Sequence, residues 1–168
     1  MLLNLGCGSD FKPGWVNLDA VAWEGYRPPD LLWDARKDSI PFLDNSAETI
    51  YMGYLLMHLN HRYHAQLLTE VYRVLSPTGV LLVGEVDMSI VMARWLARPT
   101  EARLSELIWG EMGSAHGEAM AEWDKHCHGF TESSLRELLL THGFRNITRV
   151  SIHHADVFYE LTLQMEKD

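Results

Sequence analysis

The chain opens with a short apolar run, Leu2–Leu5, that leads directly into Gly6-Cys7-Gly8, which predicts a buried strand closed by a tight bend. Pro13-Gly14 marks a turn, and Trp15–Asp19 reads as a second short strand ending on an acid. After Pro28-Pro29, Asp30–Asp34 reads as a third strand, again ending on Asp, and Thr49–Gly53 as a fourth. From about Arg62 the period changes. Leu67, Leu68, Val71 and Leu75 fall on one face of a helix, which Pro77 and Gly79 are expected to stop. Val80–Val86 is almost continuously apolar, the pattern of a strand covered on both faces. Residues 88–128 are the least regular third, with Trp95, Trp109 and Trp123 set among Arg94, Arg98 and Arg103. Thr131 then caps a helix whose apolar face is Leu135, Leu138 and Leu139 and whose stop is Gly143. Ile147–His153 and Val157–Gln164 alternate and predict a closing hairpin.

Strands separated by helical segments predict an α/β protein with a parallel sheet. Only nine residues separate Leu5 from Trp15, whereas a full crossover takes about a dozen or more. The first crossover is therefore expected to be a stunted turn. With 168 residues, the chain reads as a single domain, 1–168. Fourteen Lys+Arg against 23 Asp+Glu give a net charge of −9, which argues against nucleic acid as a partner because that affinity rests on neutralising phosphates. No apolar run reaches the roughly 20 residues of a membrane span, and the N-terminal stretch lacks the basic region of a signal peptide. Cys7 and Cys127 stand far apart and without metal-like spacing, which suits a reducing, cytoplasmic setting.

Three features fall at carboxyl ends of predicted strands, where open α/β sheets bind ligands. They are Gly6-Cys7-Gly8, Asp19 and Asp34. Glycines let a ligand approach the backbone closely. A carboxylate after the second strand can accept from both hydroxyls of a ribose, and one after the third from the exocyclic amine of adenine. The set describes a nucleoside-shaped ligand. A dinucleotide fingerprint would place a third glycine where Phe11 stands and its acid about twenty residues on, but Asp19 follows Gly6 by thirteen. The phosphate loop of nucleoside triphosphatases is absent from the sequence.

Leu3-Asn4-Leu5-Gly6-Cys7-Gly8 followed by Gly14-Trp15-Val16-Asn17-Leu18-Asp19 resembles the opening of class I S-adenosylmethionine-dependent methyltransferases. It is most similar to a small prokaryotic and viral branch with an abbreviated first crossover. The likeness continues through Asp34, Ile40-Pro41-Phe42, Leu56-Met57-His58-Leu59, the Arg73–Gly79 turn and Phe130–Phe144. The resemblance implies a Rossmann-like doubly wound sheet, mostly parallel, with seven strands and the last antiparallel. It implies S-adenosyl-L-methionine as cofactor, with Gly6, Cys7 and Gly8 facing the methionine portion and Asp19 and Ala20 the ribose. Asp34 and Ala35 would face the adenine, and Gly53 and Tyr54 the sulfonium. Three positions depart from the family, which usually has Glu at Met57, Lys at Ser76 and Gly at Thr78. Loss of a carboxylate at Met57, near the expected cleft, keeps open a catalytically silent module that holds the cofactor or its demethylated product.

Methyl transfer from a sulfonium is an in-line displacement that gains most from alignment. A base is needed where the acceptor must lose a proton, and His58, Glu85 and Asp87 lie at or beyond strand ends. The catalytic expectation rests on His58 and Asp87, the alternatives being that His58 begins a helix and bonds the backbone and that Asp87 caps the helix that follows. His58, His61 and His64 recur every three residues, with Asp124, His126 and His128 later, but i, i+3, i+6 positions drift apart around a helix, so no metal is expected. Residues 88–128 are the expected cap over a small-molecule acceptor. One side of the cleft is left open, to be covered by that cap or by a second copy in a homodimer.

Overall fold

The computed structural model describes residues 1–100, 102–110, 121–150 and 160–167. Seven strands form one sheet: β1 (Leu2–Leu5), β2 (Val16–Asp19), β3 (Leu31–Leu32), β4 (Ala47–Gly53), β5 (Leu75–Val86), β6 (Phe144–Val150) and β7 (Glu160–Lys167). Their order is β3-β2-β1-β4-β5-β7-β6. The first five pair in parallel, while β7 runs antiparallel to both β5 and β6. This is a doubly wound, Rossmann-like α/β sheet with its chain order reversing between β1 and β4. The expected terminal hairpin is present as β6 and β7, with residues 151–159 outside the described ones. The hairpin's second strand lies inside the sheet and its first at the edge.

The helices follow the apolar periodicity. They are α1 (Leu55–His58), α2 (His64–Val74), α3 (Met88–Ala97), α4 (Ala102–Trp109), α5 (Ala121–Asp124) and α6 (Glu132–Thr141), with a 3₁₀ turn at His61–Tyr63. Helix α2 buries Leu67, Leu68, Val71 and Val74, which join Leu3, Leu5, Ile50 and Leu81 of the sheet in the main core. Helix α6 starts on a reciprocal cap: the Ser134 amide donates to Thr131 Oγ1, and the Thr131 amide to Ser134 Oγ. A second core lies where α1 and the end of β5 meet α3 and α4, built on Met57, Val86, Val91 and Leu104.

Two elements differ from the sequence reading. Helix α2 ends at Val74, and the chain enters the sheet at Leu75, before Pro77 and Gly79. Leu75 pairs with Ala47 and Val80 with Thr49, so Ser76–Gly79 bulge out of the ladder and need make no regular hydrogen bonds, which is how Pro77 is tolerated. The third strand shrinks to Leu31–Leu32 at the sheet edge, with Leu32 71% exposed. Backbone pairing to β2 holds it there, flanked by the Asp30 carboxylate on Asn17 and by the buried Trp33.

The short first crossover is fastened by two buried asparagines. Asn4 on β1 and Asn17 on β2 are almost completely enclosed, and Asn4 Nδ2 donates to Asn17 Oδ1 at 2.9 Å. Asn4 Nδ2 also reaches the Asp10 carbonyl at 2.7 Å. Asn17 accepts from the Lys12 amide at 2.8 Å and donates to the carbonyls of Lys12 and Trp15. Its Nδ2 and its backbone amide both meet Asp30 Oδ2. Within this ten-residue crossover the backbone of Asp10, Lys12 and Trp15 is thereby paired without a helix. Asn17→Ala is expected to lower unfolding free energy by roughly 1–3 kcal/mol, the range for orphaning buried polar groups; a urea titration with an unchanged midpoint would refute this role.

Candidate functional site

The carboxyl ends of β1, β2, β3 and β4 open on a cleft of about 280 Å³. All nine residues expected to bind the cofactor line it, and so does His58. The cleft begins at the bend after β1. Gly6 has φ +67°, and a Cβ there would stand 2.7 Å from Leu55 Cδ1, so both its backbone and its neighbour require glycine. At Gly8, φ is +48° and a Cβ would find nothing within 4 Å, because that position faces the open cleft. The amides of Gly6 and Cys7 both donate to the Leu18 carbonyl, at 2.8 and 3.0 Å.

The bend and the acid after β2 form one hydrogen-bonded unit. The Gly8 amide donates to Asp19 Oδ2 at 2.7 Å, and the Val21 amide to Oδ1 at 3.1 Å. Burial pushes the Asp19 carboxyl up from the ordinary Asp range, against the amides of Gly8, Val21 and Ala20 and the Trp23 side chain, which favour its charged form. Cys7 is buried beside it. Burial, reinforced by the charge of Asp19, pushes the Cys7 thiol up to about 12, so Cys7 stays a protonated packing group with no nucleophilic character at neutral pH.

Asp34, after β3, is engaged more fully than the sequence reading foresaw. Arg36 forks it with Nε on Oδ1 and Nη2 on Oδ2, each at 2.9 Å, and the Arg36 amide adds a bond to Oδ1 at 3.0 Å. Lys37 Nζ lies 3.7 Å from Oδ2. Burial would raise the Asp34 carboxyl, but the Arg36 bonds and charge outweigh it and hold the group below the ordinary range. The same guanidinium stacks on the Trp123 ring, 3.9 Å from its centroid. Trp123 on α5 thus closes over the β3 end of the cleft. The sequence signal for Arg36 is an Arg two residues after an acid; its stacking partner lies 87 positions away and leaves no local trace.

The floor is Gly53 and Tyr54, continuing into α1. Tyr54 has φ +58° and ψ +20°, a left-handed conformation that costs a bulky side chain about 1–3 kcal/mol. Its amide donates to the Gly84 carbonyl at 2.7 Å. His58 ends α1 with Nδ1 3.3 Å from the Lys125 carbonyl. A carbonyl only accepts, so Nδ1 carries the proton and Nε2 the lone pair. Burial, aided by the neighbouring His126, lowers His58 to about 4. The imidazole is therefore uncharged at neutral pH.

The segment 125–130 hangs on this helix. The amides of Cys127 and His128 both donate to the Met57 carbonyl, at 2.7 and 3.1 Å. The rings of His58 and His126 meet edge-on at 4.9 Å, and those of His64 and His128 at 5.2 Å. His64 Nε2 lies within bonding distance of the carbonyls of Leu56 and Leu59, 3.0 and 3.2 Å. Burial is the leading cause that holds His64, His126 and His128 below the ordinary histidine range as well.

Other expectations are corrected. Asp87 does not line the cleft: its Oδ1 caps α3 by accepting from the Ser89 amide at 3.1 Å, and Oδ2 lies 3.6 Å from Arg149 Nη1. Its carboxylate is the N-cap of α3, as the alternative reading of this residue expects. Met57 is buried in the second core with Val91 and Leu104, so the side chain at that position faces away from the cleft. Of the three cap tryptophans only Trp123 lines the cleft; Trp95 packs on the second core and Trp109 is exposed. Among the described residues, no group of three or more His, Cys, Asp or Glu is arranged to hold a metal ion. No helix among them is long and apolar enough to cross a membrane.

Residues 7–83, which carry the bend, both acids and α1, match the family model of a methyltransferase domain. The fold is shared with an S-adenosylmethionine-dependent methyltransferase of Archaeoglobus fulgidus, at 12% identity over 99% of this chain and 85% of that one, with a TM-score of 0.63. A second such methyltransferase, from Methanosarcina mazei, shows 17% identity over 99% and 91% of the two chains, again with a TM-score of 0.63. Human N-acetylserotonin methyltransferase, solved with S-adenosylmethionine, matches over 99% of this chain but 47% of its own length, with 17% identity and a TM-score of 0.59. No curated protein matches the chain. The domain match spans 77 of the 168 residues, and the likeness to these structures is one of fold.

Two outcomes follow from these environments. A disulfide-exchange reagent on the native protein is expected to titrate Cys127 and spare Cys7 until denaturant is added, and Cys127→Ser should abolish the fast phase. Equal rates at both thiols would contradict the burial of Cys7. Burial favours the neutral form of these four histidines in the folded chain, whereas unfolded they gain protons at about pH 6.5. Stability is therefore full above pH 6.5 and lost as pH falls from 6.5 toward 4. Thermal melts across that window are expected to decline more steeply for the parent than for the double variant His126→Gln, His128→Gln.

Proposed function

We propose that this protein transfers a methyl group from S-adenosyl-L-methionine to a small-molecule acceptor. The observation that carries the reading is the unit formed by Gly8 and Asp19, in which an open glycine amide fixes a carboxylate at the cleft wall. The residues present fit such a cofactor. The Gly6–Gly8 bend gives unobstructed backbone to the methionine portion, and Asp19 with Ala20 faces the ribose hydroxyls. Asp34 keeps acceptor capacity on Oδ2 for the adenine amine beside Ala35, with Arg36 holding its orientation. Gly53 and Tyr54 lie beneath the sulfonium. When bound, the cofactor supplies an electrophilic methyl group on a cationic sulfur.

The chain's own part is alignment and proton handling. The bend, Asp19 and the Tyr54 floor hold the donor in one orientation, which is where most of the acceleration of an in-line displacement originates. His58 offers Nε2 as a hydrogen-bond acceptor to an acceptor N–H or O–H. Being uncharged, it does so without repelling the cationic donor. Trp123, stacked on Arg36, closes the nucleoside end against water.

The second reading, a module that binds the cofactor or its demethylated product without turnover, rests on Met57 standing where the family that the sequence resembles usually has Glu. The inward packing of Met57 weighs against it, because a side chain at that position faces the second core. Calorimetric titration with S-adenosylmethionine and S-adenosylhomocysteine, followed by label transfer to a panel of small amines, alcohols, thiols and carboxylates, separates the two. Turnover supports the enzyme; tight binding with no transfer to any class supports the silent module. Asp19→Ala is expected to weaken binding by about 1–3 kcal/mol, the scale for losing a charged hydrogen-bond partner. Unchanged affinity would remove Asp19 from the site.

A further inference from the structure

Glu85, on β5, is used by nothing described so far. Its side chain is completely buried. Oε1 accepts from the Leu56 amide at 2.9 Å, and Oε2 is buried with no partner. Leu56 is the second residue of α1, a four-residue helix whose own N-cap position, Tyr54, makes no side-chain capping bond. The capping acceptor therefore comes from a different element. Two consecutive residues of β5 grip the start of α1: the Gly84 carbonyl takes the Tyr54 amide, and the Glu85 carboxyl takes the Leu56 amide. Between these anchors sits the left-handed Tyr54, a conformation that persists only where its surroundings enforce it. Beyond them, Tyr54, Leu55 and His58 face the cleft.

We propose that Glu85 is a positioning residue for the donor cleft: its buried carboxyl group caps α1 from the neighbouring strand and keeps Tyr54 in the left-handed turn that sets Tyr54 and His58 against the cofactor. Burial raises the Glu85 carboxyl to about 8, while the amides of Leu56 and Met57 oppose the shift. Burial thus favours the neutral acid, and the role the geometry gives the group is that of a hydrogen-bond acceptor to the Leu56 amide. An amide oxygen should replace it, and an alkyl group of similar size should not.

This inference rests on the cofactor-binding reading, and the experiment separates the two. Parent, E85Q, E85L, Y54G and the double variant E85L/Y54G are compared by thermal melting and by calorimetric titration with S-adenosylhomocysteine. E85Q is expected to bind within about threefold of the parent, and E85L to bind about tenfold or more weakly while still folded, as when a buried donor loses its acceptor. Glycine adopts the left-handed turn without strain, so the loss caused by E85L should shrink in the Y54G background, in both affinity and melting temperature. A folded E85L that binds like the parent, or losses that simply add in the double variant, would overturn the clamp. Failure of the parent to bind S-adenosylhomocysteine would instead overturn the cofactor reading, and non-additive melting temperatures would then still report on the clamp.

Discussion

The site depends on a pair of buried amides. Asn4 and Asn17 sit on adjacent parallel strands, and their side chains hold Asp10, Lys12 and Trp15 by the backbone. A parallel connection ordinarily satisfies its backbone in a helix packed on the sheet. Here side-chain amides do that work, and the chain returns to β2 in ten residues. The economy has a geometric result: Gly8 ends within 2.7 Å of the Asp19 carboxylate. The bend that lines the cleft and the acid beside it become one hydrogen-bonded unit, built from residues four to nineteen.

The opposite wall is organised differently. It is built around the strained Tyr54, gripped from β5, and around the Met57 carbonyl, from which residues 127 and 128 hang. The two walls meet through Arg36, which joins Asp34 to Trp123 by a bidentate ion pair and a stacking contact. An Arg in this place suits both partners, since its planar guanidinium forks a carboxylate in its plane and stacks on an aromatic face. The acidic protein thus places a guanidinium where it organises a carboxylate that lines the cleft.

Histidines show how the same residue type separates by environment. His64 is a satisfied core group tied to two backbone carbonyls. His58 is tied through Nδ1 to the Lys125 carbonyl and lines the cleft. Their spacing in sequence says nothing of this difference. Contacts with His126 and His128, distant along the chain, fix both rings.

The alternation of apolar and polar residues determined the strand order of appearance, the helices on Leu67–Val74 and Leu135–Leu139, and the acids at the ends of β2 and β3. These are local properties, set by side-chain periodicity and by what glycine and proline permit. The Gly-Cys-Gly bend and its following acids were legible for the same reason. Tertiary structure alone decided that Met57 faces a core and that Glu85 reaches across to α1. It also decided that Trp123 closes over Arg36. Each of those outcomes depends on the direction a side chain takes once β5 and the cap pack against α1. Direction is fixed by contacts between residues remote in sequence, which no local pattern encodes.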